Sequence, residues 1–222
     1  MLLIFDIDGV LADFTKLRLL RDIAHIQAVT KKHNISQDQA KQLFRNTKEN
    51  NKALGKHSTI DTMLSLGITK EEFYQIMNSV PIEGNIIPVE NVQSVIKQLS
   101  ERHKLVALTN TPDRATRKTL QHLNILQYFT KIYAIDKQNY IKPSQEIFKQ
   151  ILLENNAAIA VSIGDSFEKD LAPAKVLCLR TILFQIAKNK QDNQKEQKAD
   201  YTITDLQQLL NIIESFQNQS HG

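Results

Sequence analysis

The sequence predicts an α/β protein, built as a doubly wound (Rossmann-like) parallel sheet with an inserted small all-helical cap domain. Short apolar runs alternate along the chain with amphipathic helical segments, which is the pattern of such a sheet. Within the runs, apolar and polar residues do not alternate, and this is typical of strands covered on both faces. The stretch from residue 15 to about residue 80 has amphipathic segments and no strand-like run.

Five apolar runs are predicted to be the strands of the sheet. Each is too short for a helix and is flanked by polar residues. In chain order, the runs are Leu2–Phe5, Leu105–Leu108, Ile132–Ile135, Ile159–Ile163 and Thr181–Phe184. Apolar residues at helical spacing predict the helices of the core, at Val89–Leu99, Pro143–Leu153 and Leu206–Ile213.

The strand-free stretch is predicted to be a helical module inserted after the first strand and its loop. Its amphipathic segments are Leu17–Val29, Gln37–Leu54 and Lys70–Met77. We therefore expect residues 1–14 and 82–222 to form the catalytic core and residues 15–81 to form the cap. The polar stretches around His57 and over Lys188–Lys198 are expected to be a solvated turn and a solvated, mobile loop.

Composition argues against several classes of protein. The 222 residues carry a net charge of only +4, and the lysines are spread along the chain, so neither a nucleic acid nor a membrane partner is expected. The first apolar run ends at Asp6 and is too short for a signal peptide or a membrane span, which makes the cytoplasm the expected location. The single cysteine, Cys178, lies in an apolar stretch and is expected to be buried.

Polar residues collect just past the predicted strands. They are Asp6 and Asp8 after the first strand, Thr109 and Asn110 after the second, Lys142 in the connection after the third, and Asp165 and Asp170 after the fourth. Because ligands bind outside the carboxyl ends of the strands in a doubly wound sheet, these side chains are expected to meet at one rim.

The chemistry of this set requires an added cation. Asp6, Asp8 and Asp165 would repel one another if they were held close, unless a positive ion lay between them. Hard oxygen ligands that are partly open to water suit Mg²⁺. Together with Lys142, the metal could screen an incoming phosphate from a carboxylate nucleophile.

Two further residues, Gly9 and Thr109, are expected to help bind the phosphate, and Asn110 follows Thr109 directly. Gly9 lets the backbone turn tightly, so that the amides after Asp6 can face phosphate oxygens. Thr109 can donate a hydrogen bond from its hydroxyl group to the same phosphate. Asn110 is expected to be either structural or a secondary substrate contact.

Four motifs in order carry a resemblance to a known family. They are Phe5–Leu11 (Phe-Asp-Ile-Asp-Gly-Val-Leu), Leu105–Asn110 ending in Thr-Asn, Lys142-Pro143 followed by an amphipathic helix, and Gly164-Asp165-Ser166 with the later Asp170. This arrangement resembles the haloacid dehalogenase-like superfamily over essentially the whole chain, in its phosphatase branch with a helical cap. The chain departs from the common pattern at Ile141, where the family often has glycine, and at Pro88-Val89, where it often has Pro-Gly.

The resemblance implies a role for each motif residue. Asp6 would be the nucleophile that forms an aspartyl-phosphate, and Asp8 the general acid and base. Mg²⁺ would be held by Asp6, the backbone carbonyl of Asp8, and Asp165. Thr109 and Lys142 would hold the phosphoryl group. Asp170 would support the metal site or Lys142, with Glu168 as the alternative for this second acid.

The function expected from these residues is hydrolysis of a small phosphorylated metabolite by a monomer or small homo-oligomer. A phosphomutase remains an alternative because it would use the same two aspartates. A metal-independent 2-haloacid dehalogenase is disfavoured by Asp8 and Asp165. A non-catalytic phosphate-binding protein is disfavoured because no motif residue has been lost. Sugar phosphates, nucleoside monophosphates and phosphoglycolate-like acids all remain open as substrates.

Overall fold

The computed structural model describes residues 1–56, 58–185 and 199–218, so His57 and the predicted loop Lys188–Lys198 lie outside the described residues. The strands are β1 Leu2–Phe5, β2 Ala12–Asp13, β3 Ile87–Pro88, β4 Lys104–Thr109, β5 Lys131–Ala134, β6 Ala160–Gly164, β7 Arg180–Phe184 and β8 Tyr201–Ile203. Six of them form one sheet in the order β5-β4-β1-β6-β7-β8, and every pair in it is parallel. The predicted fold class is therefore confirmed.

The helices alternate with these strands or fill the inserted segment. They are α1 Thr15–His33, α2 Gln37–Ala53, α3 Thr59–Ser65, α4 Lys70–Ser79, α5 Val92–Ser100, α6 Asp113–His122, α7 Gln145–Glu154, α8 Ala172–Val176 and α9 Gln208–Asn218. A 3₁₀ turn covers Leu126–Tyr128, and a π-helical turn covers Phe167–Leu171. None of the described helices combines the length and the apolar character needed to cross a bilayer.

The direction of winding reverses at β1. The chain first extends the sheet on one side of β1, through β4 and β5, and then crosses to the other side, where β6 pairs with β1. Such a reversal leaves a crevice at the carboxyl ends of the strands. At this end, Phe5 is level with Ala107 of β4 and Ile163 of β6. The residues that follow these three positions therefore surround the crevice.

The core below the crevice is apolar. Ile4 and Val106 of the sheet belong to one buried cluster with Ile147, Phe148 and Ile151 of α7. All five are almost completely removed from water, and burying an apolar side chain of this size contributes roughly 1.5–3 kcal/mol. This packing fixes α7, and with it the end of the connection that carries Lys142.

The described residues divide into two compact units. One comprises Met1–Phe14 and Ile86–Gly222, and the other comprises Thr15–Asn85. The second unit contains α1 to α4, and α2, α3 and α4 each begin with a capping box, led by Ser36, Ser58 and Thr69. The chain returns to the first unit at Ile86, four residues later than the expected position 82. The assignment of these units as catalytic core and cap stays a prediction.

Several features differ from the expectations, among them the sixth strand of the sheet, β8, where five strands were predicted. The helix α6 was not predicted, because its buried face is made of Ala115, Thr116, Thr119 and Leu120 and has little apolar periodicity. The prediction that Cys178 is buried is wrong, because its side chain is exposed. Cys178 lies in the turn between α8 and β7 with φ +59°, and its N–H donates to Lys175 O, so the turn leaves its side chain in solvent.

Candidate active site

The strand ends place the predicted site residues around the crevice. Asp6 continues β1, and its N–H donates to Ile163 O of β6 at 2.9 Å. Thr109 is the last residue of β4, and Asp165 follows β6 directly. Lys142 lies in the ten-residue connection between β5 and α7. Residues that are far apart in the sequence therefore meet because the strands are parallel and end at the same edge.

Lys142 is the electrostatic centre of the site. Its Nζ lies 2.7 Å from Asp6 Oδ1 and 2.6 Å from Asp170 Oδ1. The side chains of Lys142, Asp6 and Asp170 are only 5%, 10% and 3% exposed. A buried ammonium group is stable only when such partners compensate for the loss of its hydration. The structure thus joins the nucleophile candidate, Asp6, to Asp170, a candidate for the second acid of the fourth motif, through one lysine.

This ion triad sets the protonation state of Lys142. Burial lowers the pKa of the Lys142 ammonium, but the charges of Asp170 and Asp6 and the hydrogen bonds to both carry it above its usual value. The two carboxylates therefore favour the protonated, positively charged form of Lys142. Burial raises the pKa of the Asp170 carboxyl to about 6; the Lys142 charge opposes this rise and the Asp6 charge adds to it.

Asp170 is held by the turn that contains it. Its Oδ2 accepts from the Ser166 N–H at 3.0 Å, and its main-chain oxygen accepts from Ser162 Oγ at 2.8 Å. Of the two acids considered for this position, Asp170 is buried against Lys142, whereas Glu168 is exposed. Sequence reasoning did not identify Ser162; the available signal was a hydroxyl residue in an otherwise apolar buried strand.

Three carboxylates are grouped closely enough to hold a metal ion. One oxygen each of Asp6, Asp165 and Asp170 lies within 4.8 Å of the others. With the Lys142 ammonium, this group carries a net charge of −2 when all three acids are ionised, so a divalent cation fits both its charge and its hard oxygen donors. The Asp8 carboxylate is not part of this group. The role predicted for Asp8 in metal binding uses its main-chain carbonyl and stays a prediction.

Gly9 is required by its conformation and by its close approach to Asp165. Its φ is +93°, and a Cβ placed on it would lie 2.1 Å from Asp165 Oδ2. Its N–H donates to Ala12 O at 3.0 Å, which closes the loop after β1. Gly9 therefore lets Asp165 lie against this loop, while the predicted binding of substrate by Gly9 stays a prediction.

Replacing Gly9 by alanine is expected to lower the free energy of unfolding by about 2–4 kcal/mol, because backbone strain and a collision with Asp165 add together. Gly55→Ala is the matched control: Gly55 has φ +75° but no atom within 4 Å of the added Cβ. Urea unfolding of both variants separates the two effects. A Gly9→Ala variant that is no less stable than Gly55→Ala would contradict the close approach of Asp165.

Two polar residues follow β4. Thr109 is buried, and its Oγ1 accepts from the Thr111 N–H at 3.1 Å, which leaves the hydroxyl proton to be donated elsewhere. Asn110 bonds both main-chain polar groups of Lys142: its Nδ2 donates to Lys142 O at 2.9 Å, and its Oδ1 accepts from Lys142 N–H at 3.1 Å. The structure thus gives Asn110 a structural contact, and its binding of substrate stays a prediction.

Two curated proteins are similar to parts of this chain. A glyceraldehyde 3-phosphate phosphatase of Pyrococcus furiosus is 32% identical over 95 residues, covering 41% of this chain and 40% of the relative. A ribulose-1,5-bisphosphate 5-phosphatase of Halopiger xanaduensis is 25% identical over 140 residues, covering 59% and 58% of the two chains. The chain thus spans 40% and 58% of the lengths of these curated relatives.

Similarity of fold extends over nearly the whole chain. The crystal structure of an HAD phosphatase from Thermococcus onnurineus matches with a TM-score of 0.71 and 22% identity, covering 95% of this chain and 96% of that one. The family model described as haloacid dehalogenase-like hydrolase matches residues 3–184. This match includes all four motifs, and the chain belongs to the haloacid dehalogenase-like hydrolase family.

Proposed function

We propose that this protein is a Mg²⁺-dependent phosphomonoester hydrolase that works through an aspartyl-phosphate on Asp6. The observation that carries the proposal is the buried triad of Asp6, Lys142 and Asp170, next to the oxygens of Asp165. An anionic nucleophile can attack an anionic phosphate only where positive charge offsets their repulsion. The fixed ammonium of Lys142 supplies part of this charge, 2.7 Å from Asp6 Oδ1.

A magnesium ion would supply the rest. In this proposal, Asp6, the main-chain carbonyl of Asp8, and Asp165 hold the ion, and Asp170 supports Lys142. The bound ion would neutralise negative charge on the phosphoryl oxygens and on the carboxylates. Because Asp170 already accepts from Lys142 and from the Ser166 N–H, its oxygens are better placed to orient this lysine than to serve as a primary metal ligand.

The reaction divides into two displacements at phosphorus. An oxygen of Asp6 forms a bond to phosphorus while the bond to the leaving oxygen breaks, and Asp8 gives that oxygen a proton. Water then attacks the aspartyl-phosphate, Asp8 takes its proton, and inorganic phosphate leaves with Asp6 restored. The hydroxyl proton of Thr109 and the ammonium of Lys142 hold the phosphoryl oxygens through both steps.

The proposed substrate is a small phosphorylated metabolite. The two curated relatives are named as phosphatases of glyceraldehyde 3-phosphate and ribulose 1,5-bisphosphate. These names support a sugar phosphate as the substrate of this protein. The helical unit Thr15–Asn85 is proposed to act as the cap that supplies contacts to the rest of the substrate. A cytoplasmic location and a monomeric or small homo-oligomeric state stay predictions.

Phosphate release from a panel of phosphorylated metabolites, with and without Mg²⁺, tests this function. The panel begins with sugar phosphates and includes nucleoside monophosphates and phosphoglycolate. We expect release of inorganic phosphate that stops when a chelator is added and returns with excess Mg²⁺. Isomerisation of a sugar phosphate without net phosphate release would favour a mutase. Metal-independent halide release would favour a dehalogenase, and binding without turnover would favour a binding protein.

A further inference from the structure

The side chain of Asn110 forms hydrogen bonds with the main chain of Lys142. Asn110 Nδ2 donates to Lys142 O at 2.9 Å, and Lys142 N–H donates to Asn110 Oδ1 at 3.1 Å. The two residues are 32 positions apart, so this contact joins the end of β4 to the connection before α7. Two hydrogen bonds from one planar amide fix both the distance and the orientation of the Lys142 main chain relative to Asn110.

This contact matters because the connection contains no regular secondary structure. β5 ends at Ala134 and α7 begins at Gln145, and the pair of bonds from Asn110 lies close to the α7 end of this segment. The ammonium group of Lys142 reaches Asp6 and Asp170 from the main-chain position that Asn110 holds. A shift of this main chain would move the positive charge relative to Asp6.

We propose that Asn110 is a positioning residue for Lys142, acting through the lysine main chain and not by contact with the substrate. This inference rests on the proposed function for its kinetic part only. The Lys142 main chain engages the amide oxygen of Asn110 and one of its two amide hydrogens, which favours this role over recognition of the substrate. By holding the Lys142 main chain, Asn110 sets the position of the Lys142 ammonium relative to Asp6 and to the phosphoryl group.

The test compares Asn110→Ser with a matched control, Asn155→Ser. Asn155 also makes two part-buried hydrogen bonds, to Tyr133 Oη and Ile151 O, but it lies at the far end of α7. We expect Asn110→Ser to lower kcat about tenfold to a hundredfold with KM changed less than about threefold, because a misplaced charge weakens the transition state more than the bound substrate. Asn155→Ser is expected to leave both parameters near those of the unchanged protein.

A second readout does not depend on enzymatic activity. Acetylation of lysines by a small anhydride, followed by peptide mass spectrometry, reports how well each ammonium is protected. Lys142 is 5% exposed and paired to two acids, whereas Lys149 is 47% exposed. We expect Asn110→Ser to speed labelling of Lys142 by at least about tenfold and to leave the labelling rate of Lys149 unchanged. Only Lys142 depends on Asn110 for its buried position, so only Lys142 loses protection.

The outcomes separate this proposal from the proposed function. If the unchanged protein releases no phosphate from any substrate, the proposed function fails, while the labelling of Lys142 still decides the role of Asn110. A rise in KM with unchanged labelling of Lys142 would overturn the positioning role in favour of a substrate contact. Equal effects of Asn110→Ser and Asn155→Ser on kcat and labelling would reduce Asn110 to a purely structural residue. If Asn110→Ser does not fold, Asn110→Asp, which keeps one of the two bonds, is measured in its place.

Discussion

Asp6→Asn is expected to lower the rate of phosphate release by at least about a thousandfold, because the amide oxygen is far less nucleophilic than a carboxylate. Asparagine has nearly the same shape, and its oxygen can still accept from Lys142, which keeps Asp170 as an ionised partner. The fold should therefore survive. Initial rates of phosphate release with saturating Mg²⁺, together with a thermal unfolding curve, measure both expectations.

The control for this substitution is Asp38→Asn. Asp38 lies at the start of α2, has a side chain that is 93% exposed, and pairs with Lys41 at 3.3 Å. A pair of this kind contributes about 0–1 kcal/mol, so neither activity nor stability should change measurably. Turnover by Asp6→Asn within about tenfold of the unchanged protein would rule out Asp6 as the nucleophile, since no other group could supply so much of the rate.

Lys142→Met is expected to lower the free energy of unfolding by about 3–5 kcal/mol in metal-free buffer, because it leaves buried carboxylates without their cation. The oxygens of Asp6, Asp165 and Asp170 lie within 4.8 Å of one another, so removing the ammonium adds repulsion to the cost of burial. Added Mg²⁺ should recover part of the loss by restoring positive charge to the group. Urea unfolding with and without Mg²⁺ gives both quantities.

Lys149→Met serves as the matched control. Lys149 lies on α7, is 47% exposed, and pairs with Glu146 at 2.7 Å on the surface. Its loss is expected to cost less than about 1 kcal/mol and to show no dependence on Mg²⁺. Equal stability of the Lys142→Met and Lys149→Met variants would contradict the buried ion triad. The phosphatase activity of Lys142→Met should also be lost, because Lys142 supplies the positive charge of this triad beside Asp6.

The sequence was sufficient to predict the rim of the site, because strand ends can be located from apolar runs. The runs before Asp6, Thr109 and Asp165 are observed as β1, β4 and β6, with ends shifted by at most one residue. Parallel pairing then brings the residues after them to one edge of the sheet. The position of Lys142 was predicted from its motif, because no periodic pattern locates a residue within a loop.

Other features of the site depend on contacts that no sequence pattern encodes. A π-helical turn buries Asp170 and exposes Glu168, which favours Asp170 as the second acid of the fourth motif. This turn is tied to β6 by the hydroxyl group of Ser162, and Gly164 leaves room for Asp170, since a Cβ there would lie 2.3 Å from the Asp170 Cβ. Such close approaches arise from tertiary packing, which local propensity does not report.

Transfer of phosphate to Asp6 is tested most directly by trapping the aspartyl-phosphate intermediate. Enzyme that is turning over a phosphorylated substrate is quenched in acid, and the acyl phosphate is reduced with borohydride before peptide mass spectrometry. We predict a reduced residue at position 6, its loss when Mg²⁺ is withheld, and its absence from Asp6→Asn. Steady phosphate release with an unmodified Asp6, or with the modification on another residue, would contradict the mechanism proposed for this protein.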